Sequence, residues 1–257
     1  MTSPEGSAPA PTAVIAGRGA ARRLSMPILA AVPNLLHAFT VKGSKPAVAL
    51  RDLAGGDMPL VTLRQVHGAL VHRVEAEGPE SRAGAEAPAS HEGDALVTSM
   101  TRRALAVYVA DCVPALVCDP RSRVLAAVHA GWRGTVAGVL ARTIDMMRRD
   151  YGARPEDLRV ALGPAIGPCC FEVGEEVVER LLGADPGAIA CVLHAGGGAP
   201  RVDLIEANRR QALASGVSEG RIQATGLCTR CETDLLESYR RSGPGAGRMA
   251  GLIAWES

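Results

Sequence analysis

The chain has 257 residues, 47% hydrophobic and only 3% aromatic, with a formal net charge of +1. This is enough chain for one large domain with a sizeable core, and it is too apolar for a disordered one. The charges are well mixed with no basic stripe carrying aromatics, which argues against a nucleic-acid binder, and no apolar run nears the roughly 20 residues that span a bilayer.

Residues 1–24 read as a flexible tail, rich in Ala, Pro and Gly. An arginine pair precedes an apolar run, but Pro27 and Pro33 interrupt it and no clear small-residue cleavage pattern follows, so a secretion signal is not expected. A single domain is expected over 25–257, with a first strand near Leu35, in a cytoplasmic protein that touches neither membrane nor nucleic acid. The apolar runs PLVTL, ALVHRVEA, DALVTSM, ALAVYVA, ALVCD and RVLAAVHA follow one another between Pro59 and Ala130. They are short, Val-rich and bounded by turn residues, and read as strands. The polar stretch 77–93 reads as an exposed loop, and CDPRSR at 118–123 as a hairpin turn. Apolar residues at three- and four-residue steps predict a helix over 135–150. A strand follows at DLRVALGP, and helices at 175–182 and 203–217, the last opened by Asp203 and closed at Gly216. Strands near Ile222 and over 249–255 end the chain. Strands first, then mixed strands and helices, give an α+β single domain: a mixed β-sheet sandwich flanked by helices.

Three places set metal-ligand types at the ends of expected strands: His67 in RQVHG, Cys112 in ADCVP and His129 in VHAGWRG. Zn2+ accepts imidazole and thiolate together, and three protein ligands leave a fourth position open, as in catalytic sites. Cu2+ accepts the same donors and is the less expected ion. Each residue also has an ordinary role, since a lone His is most often a hydrogen-bonded side chain and a lone Cys a small buried hydrophobe. Spacing does not decide, because the three are remote in sequence. Arg133 and Gly134 lie just before the helix expected near Thr135, where unpaired amides and a guanidinium suit an anion, and a glycine lets it approach the backbone. They could equally shape a tight turn carrying a solvated charge. Asp111 could orient a histidine or act as a general base, or close a turn before Pro114.

The seven cysteines are odd in number and irregularly spaced, which fits reduced thiols better than a disulfide framework. CTRC at 228–231 is a lone CxxC, a strong zinc signal only with a second pair at ribbon spacing; GPCC is not that pair in form, and buried thiols are expected, with a redox or second metal role as the alternative. GPAIGPCCFEVG lacks the GK[ST] ending of a P-loop and is expected to line a pocket through Cys169; Arg248 could add a cation to the substrate or simply be solvated.

Together QVHG, GDALVT, ADCVP, HAGWRG, GPAIGPCCFEVG and CTRC…SYRR…GR resemble the laccase-domain family, in order, from about His37 to the C-terminus. Its members have been called multicopper polyphenol oxidases, purine nucleoside phosphorylases and, in some bacteria, peptidoglycan-editing factors. The resemblance implies a mixed α/β sandwich with one zinc at His67, Cys112 and His129. It also implies phosphorolysis of adenosine, inosine and methylthioadenosine, with adenosine deamination. The partners it implies are a purine nucleoside and phosphate. The segment before QVHG is shorter than is usual in the family, and Lys42 stands where arginine is common. Six histidines, four of them outside the motifs, are too few for a multicopper centre, so phenol oxidation is adventitious at most. Two rivals follow: a metal-free hydrolase with Cys112 as nucleophile and His129 as base, and a cell-wall precursor editing factor.

Overall fold

The computed structural model describes residues 13–75, 91–194 and 198–257, so most of the loop expected at 77–93 lies outside the described residues. In chain order the strands are β1 (Val14–Ala16), β2 (Arg23–Ser25), β3 (Leu35–Thr40), β4 (Leu60–Val61), β5 (Val71–Arg73), β6 (Ala95–Thr98), β7 (Ala104–Val109), β8 (Val113–Asp119), β9 (Val124–Ala130), β10 (Arg159–Leu162), β11 (Val192–Leu193), β12 (Arg201–Val202), β13 (Ile222–Ala224) and β14 (Met249–Trp255). The helices are α1 (Pro27–Ala30), α2 (Pro46–Ala54), α3 (Trp132–Val136), α4 (Val139–Tyr151), α5 (Glu175–Ala184), α6 (Leu204–Ala214) and α7 (Tyr239–Ser242).

Two six-stranded sheets carry the fold, ordered β1-β2-β3-β14-β7-β4 and β13-β10-β8-β9-β6-β5. Both are mixed: β4–β7, β5–β6 and β10–β13 pair in parallel, and the remaining pairs run antiparallel. Alternate residues of one strand serve two cores. On β7, Leu105 and Val107 face the core between the sheets with Phe39, Leu116, Leu125 and Trp255. Ala104 and Ala106 face out, toward Ala49 and Leu50 of α2. The outer face of the second sheet packs Val117, Ala126 and Val128 against Leu140, Ile144 and Met147 of α4. The result is a four-layer single domain, helix on sheet on sheet on helix, and burial on both faces explains why its strands read as unbroken apolar runs. Among the described residues no helix is long and apolar enough to cross a membrane.

Two expectations are corrected. Residues 1–12 lie outside the described residues, but 13–24 are no tail. β1 pairs with β2, and β2 with β3, because Leu24 and Met26 need burial and are 1% and 0% exposed. The imidazole of His37 fixes this segment, its Nε2 accepting from the Met26 amide at 2.8 Å. The helix expected over 135–150 is two helices. α3 starts three residues early, and Gly138 at φ +74° turns the chain before α4. The apolar spacing runs through the break, which hides it from a periodicity argument. The turn at 118–123 forms as expected: the Asp119 carboxylate accepts from the Arg121 amide and the Ser122 hydroxyl.

Candidate metal centre

Strand register assembles this site. In the antiparallel β8–β9 pair Val113 faces Ala130, so Cys112, one step earlier, comes beside Gly131. In the β6–β9 pair Ala95 faces Val128, which brings Asp94 beside His129. His129 therefore has the thiol on one flank and a carboxylate on the other. His67 is not on a strand. It sits in the loop between β4 and β5 with φ +59°, a left-handed backbone that is uncommon for a non-glycine residue. Gln65 ties that loop to β7 by exchanging two hydrogen bonds with the Tyr108 backbone, each 2.7 Å.

The ligand atoms of His67, Cys112 and His129 all lie within 4.8 Å of one another. The two imidazoles meet edge to face, with centroids 4.8 Å apart. Asp94, fully buried, organises both: its carboxylate accepts from His129 Nδ1 at 2.8 Å, the His67 amide at 2.9 Å and the Gly68 amide at 2.7 Å. Because a carboxylate only accepts, His129 carries its proton on Nδ1 and turns Nε2 toward the cluster, the usual support for a metal-binding imidazole. Burial alone would raise the Asp94 carboxyl, but the His129 and Gly68 bonds outweigh it and hold it below the usual carboxylate range. Burial likewise opposes a Cys112 thiolate, yet bonds and charge from His129 and His67 bring the thiol down to about 7. Burial opposes a charged His129, and its bonds to Asp94 and Cys112 raise it to about 9. The coupling that favours the Cys112 thiolate also favours a second proton on His129, at Nε2, so a metal ion entering here would take the place of that proton.

Room for the sulfur comes from Gly131: a Cβ there would lie 2.9 Å from Cys112 Sγ and 3.2 Å from the His67 ring. Gly134 is buried in α3, and a Cβ on it would lie 2.8 Å from the Gly68 carbonyl. Its missing side chain makes room for the His67 loop, a packing role in place of the expected anion approach. Arg133 is exposed and its guanidinium lies 4.3 Å from the Trp132 ring. α3 has only five residues, so the helix field expected to help an anion is small and the guanidinium is left as the cation there. α6 steadies α3: Asn208 Nδ2 donates to Thr135 Oγ1 and Gln211 Nε2 to the Thr135 carbonyl.

Asp111 does not orient a histidine. Its carboxylate accepts from Thr229 Oγ1 at 2.5 Å and from the Arg240 amide at 2.7 Å, and its φ is +89°. The residue that meets His129 is Asp94, in the GDALVT motif, where an acid opening an apolar strand looks like a turn residue. Arg248 immediately precedes β14, whose Met249 faces Val109, so it stands at the same sheet edge as the Asp111–Cys112 turn. Lys42, at the position where arginine is common, donates through Nζ to the Thr233 carbonyl. Cys169, expected at a pocket, joins three other sulfurs from Cys170, Cys228 and Cys231.

A sequence model of the family described as multi-copper polyphenol oxidoreductase laccase matches residues 45–256. A purine nucleoside phosphorylase of Bacteroides thetaiotaomicron is 41% identical over 62% of this chain, which spans 59% of that relative's length. The purine nucleoside phosphorylase YlmD of Geobacillus stearothermophilus is 37% identical over 75% of this chain and 71% of its own. A protein from an unknown prokaryotic organism, named adenosine deaminase RL5, is 39% identical over 63% of each chain. The crystal structure of YlmD from G. stearothermophilus superimposes with a TM-score of 0.84 at 29% identity, over 96% of this chain and all of that one. Motif order, sandwich architecture and these matches converge: the chain belongs to the laccase-domain family.

Proposed function

We propose that this chain is a zinc-dependent purine nucleoside phosphorylase that also deaminates adenosine. The observation that carries the reading is the convergence of two imidazoles and a thiol, with Asp94 buried behind them and Arg133 exposed on the adjoining α3. The donor set fits one tetrahedral ion with an open position; copper would accept the same donors, and metal analysis of protein purified without added metal separates the two. The names of the relatives supply the substrate class, a purine nucleoside with phosphate.

His67, Cys112 and His129 would hold the ion, which supplies Lewis-acid charge at the bound substrate. Arg133 offers phosphate its planar fork of donors. Hydrogen phosphate forms a bond to the anomeric ribose carbon as the bond to the purine breaks, and the proton that phosphate gives up goes to the leaving purine nitrogen. Arg248, at the same edge, adds a second positive charge. Both Asp111 oxygens accept hydrogen bonds, and through them Asp111 fixes the turn that carries Cys112.

Losing one charge-assisted contact costs about 1.5–3 kcal/mol, roughly tenfold to a hundredfold in affinity. Arg133→Ala is therefore expected to raise the Michaelis constant for phosphate in inosine phosphorolysis by about that factor. Adenosine deamination, which uses water, falls much less, and Arg133→Lys restores part of the loss. If both activities fall equally with phosphate affinity unchanged, Arg133 is not the phosphate contact.

The aligned Asp94, His129 and Cys112 also support a second reading, a thiol hydrolase without metal. The second imidazole, His67, on the same thiol favours the metal. A covalent substrate adduct on Cys112 in single-turnover mass spectrometry would reverse that preference.

A further inference from the structure

The seven cysteines fall into three groups. Cys118 and Cys191 are wholly buried, and burial pushes both thiols up, the first to about 12. Cys112 belongs to the centre described above. The other four come from two turns far apart in sequence, Cys169 and Cys170 from one, Cys228 and Cys231 from the other, and their sulfurs all lie within 4.8 Å of one another. Cys231 Sγ is 3.7 Å from Cys169 Sγ and 3.5 Å from Cys170 Sγ.

Four neutral thiols gain little from meeting, since S–H is a weak donor and sulfur a weak acceptor. A tetrahedral ion about 2.3 Å from each sulfur gives them a reason, because it sets sulfurs about 3.8 Å apart. The backbone is arranged to match. The Gly167 amide donates to Cys228 Sγ at 3.2 Å, the kind of bond a metal-bound thiolate accepts. A Cβ on Gly167 would lie 3.2 Å from Cys228 Cβ and 3.3 Å from Cys169 Sγ, a tight fit against both turns. The two turns are also joined by backbone: Ala165 bridges to Cys228, and the Thr229 amide donates to the Ala165 carbonyl at 3.0 Å. The second cysteine pair that CTRC needs is the adjacent pair Cys169–Cys170, which has no CxxC spacing and so gives no sequence signal.

We propose that Cys169, Cys170, Cys228 and Cys231 bind a second, structural metal ion, a zinc, that clamps the two turns together. All four positions are filled by sulfur, as in closed structural sites. The clamp has a function beyond stability. Thr229, inside the CTRC turn, is the residue that donates to Asp111 Oδ1, and the carbonyls of Thr229 and Arg230 accept from Arg241 Nη1. The neighbouring Arg240 amide holds Asp111 Oδ2. The second ion thus fixes, through Thr229, the left-handed turn that presents Cys112. Cys169 becomes a ligand of this ion rather than a substrate contact.

The test uses the full-length chain purified anaerobically without added metal. Elemental analysis is expected to find two zinc ions per chain, falling to one in His129→Ala and to one in Cys228→Ser/Cys231→Ser. Cobalt substitution separates the sites: intense thiolate-to-cobalt absorption persists in His129→Ala and is largely lost in the double variant. Should the double variant fail to fold, wild type alone decides by peptide mapping. The four cysteines are expected to resist iodoacetamide until a chelator is added. Rapid alkylation of the four in metal-replete protein, one ion per chain unchanged by the cysteine substitutions, or an intact mass lowered by two disulfides would each overturn the proposal.

Discussion

Asp94 takes three hydrogen bonds on one carboxylate, and each supports the candidate metal centre: one orients His129, two hold the His67–Gly68 loop in place. Asp94→Asn keeps the size but replaces one acceptor oxygen with a donor nitrogen, so at least one of the three bonds is lost. Removing such outer support usually costs 10- to 100-fold in metal affinity. That loss is expected here in competition with a chromophoric chelator, with the fold unchanged by circular dichroism; wild-type affinity would refute the role. At this scale the sequence was legible in its donors and opaque in their supports. His67, Cys112 and His129 could be chosen for their chemistry. Asp94 could not, since its use depends on which residue of β9 lies opposite.

The segment joining β9 to α4 shows how elements meet the site. Gly131, with φ −72°, needs no special backbone freedom, but a side chain there would strike Cys112 Sγ at 2.9 Å. Gly138 is the reverse case, with φ +74° and nothing within 4 Å of its Cβ position. The two substitutions should therefore separate. Gly131→Ala is expected to weaken metal binding roughly tenfold or more, an energy of about 1.4 kcal/mol, with little change in melting temperature. Gly138→Ala is expected to cost stability of about 1–2 kcal/mol, the penalty of a left-handed residue with a Cβ, and to leave metal content intact. Metal titration and urea unfolding on both proteins check the pair, and equal effects on metal binding would refute the distinction. Most strands were readable from their apolar runs, as was the Asp203 cap, whose side chain accepts from the Glu206 amide. The start of α3 was not, because no Ser, Thr, Asp or Asn caps it and glycines stand where a signal would be.

For the whole molecule, His37 links stability to pH. It is 4% exposed, and burial, with the positive charge of Arg23 adding to it, lowers its imidazole to about 4. Its unfolded value is near 6.5. Between these values the unfolded chain binds a proton that the native chain refuses, so stability is full above about pH 6.5 and falls as pH drops toward 4. The shift corresponds to about 3 kcal/mol, a large part of the 5–15 kcal/mol of a typical domain. Urea midpoints measured from pH 7.5 to 4.5 should show this slope, and His37→Gln, which can still accept from the Met26 amide, should flatten it. An unchanged slope in that variant would assign the acid sensitivity elsewhere. The mixed-sheet sandwich was legible in the run of strand signals followed by mixed strand and helix signals. The N-terminal hairpin that His37 secures was not, since strands of only three residues in an Ala/Pro/Gly-rich context look like tail.

The register of β9 has one more consequence. Its partners β8 and β6 deliver Cys112 and Asp94 to the two flanks of His129. If either pairing slipped by a single residue, the side chains would exchange faces and His129 would lose its thiol or its carboxylate. Such misfolded chains would still bury mostly apolar side chains, Val and Ala from one face of these strands and Leu, Pro, Cys and Ala from the other. Hydrophobic burial alone discriminates poorly between the registers. An ion that binds only the correct one adds its binding energy to that state alone, and so proofreads the sheet.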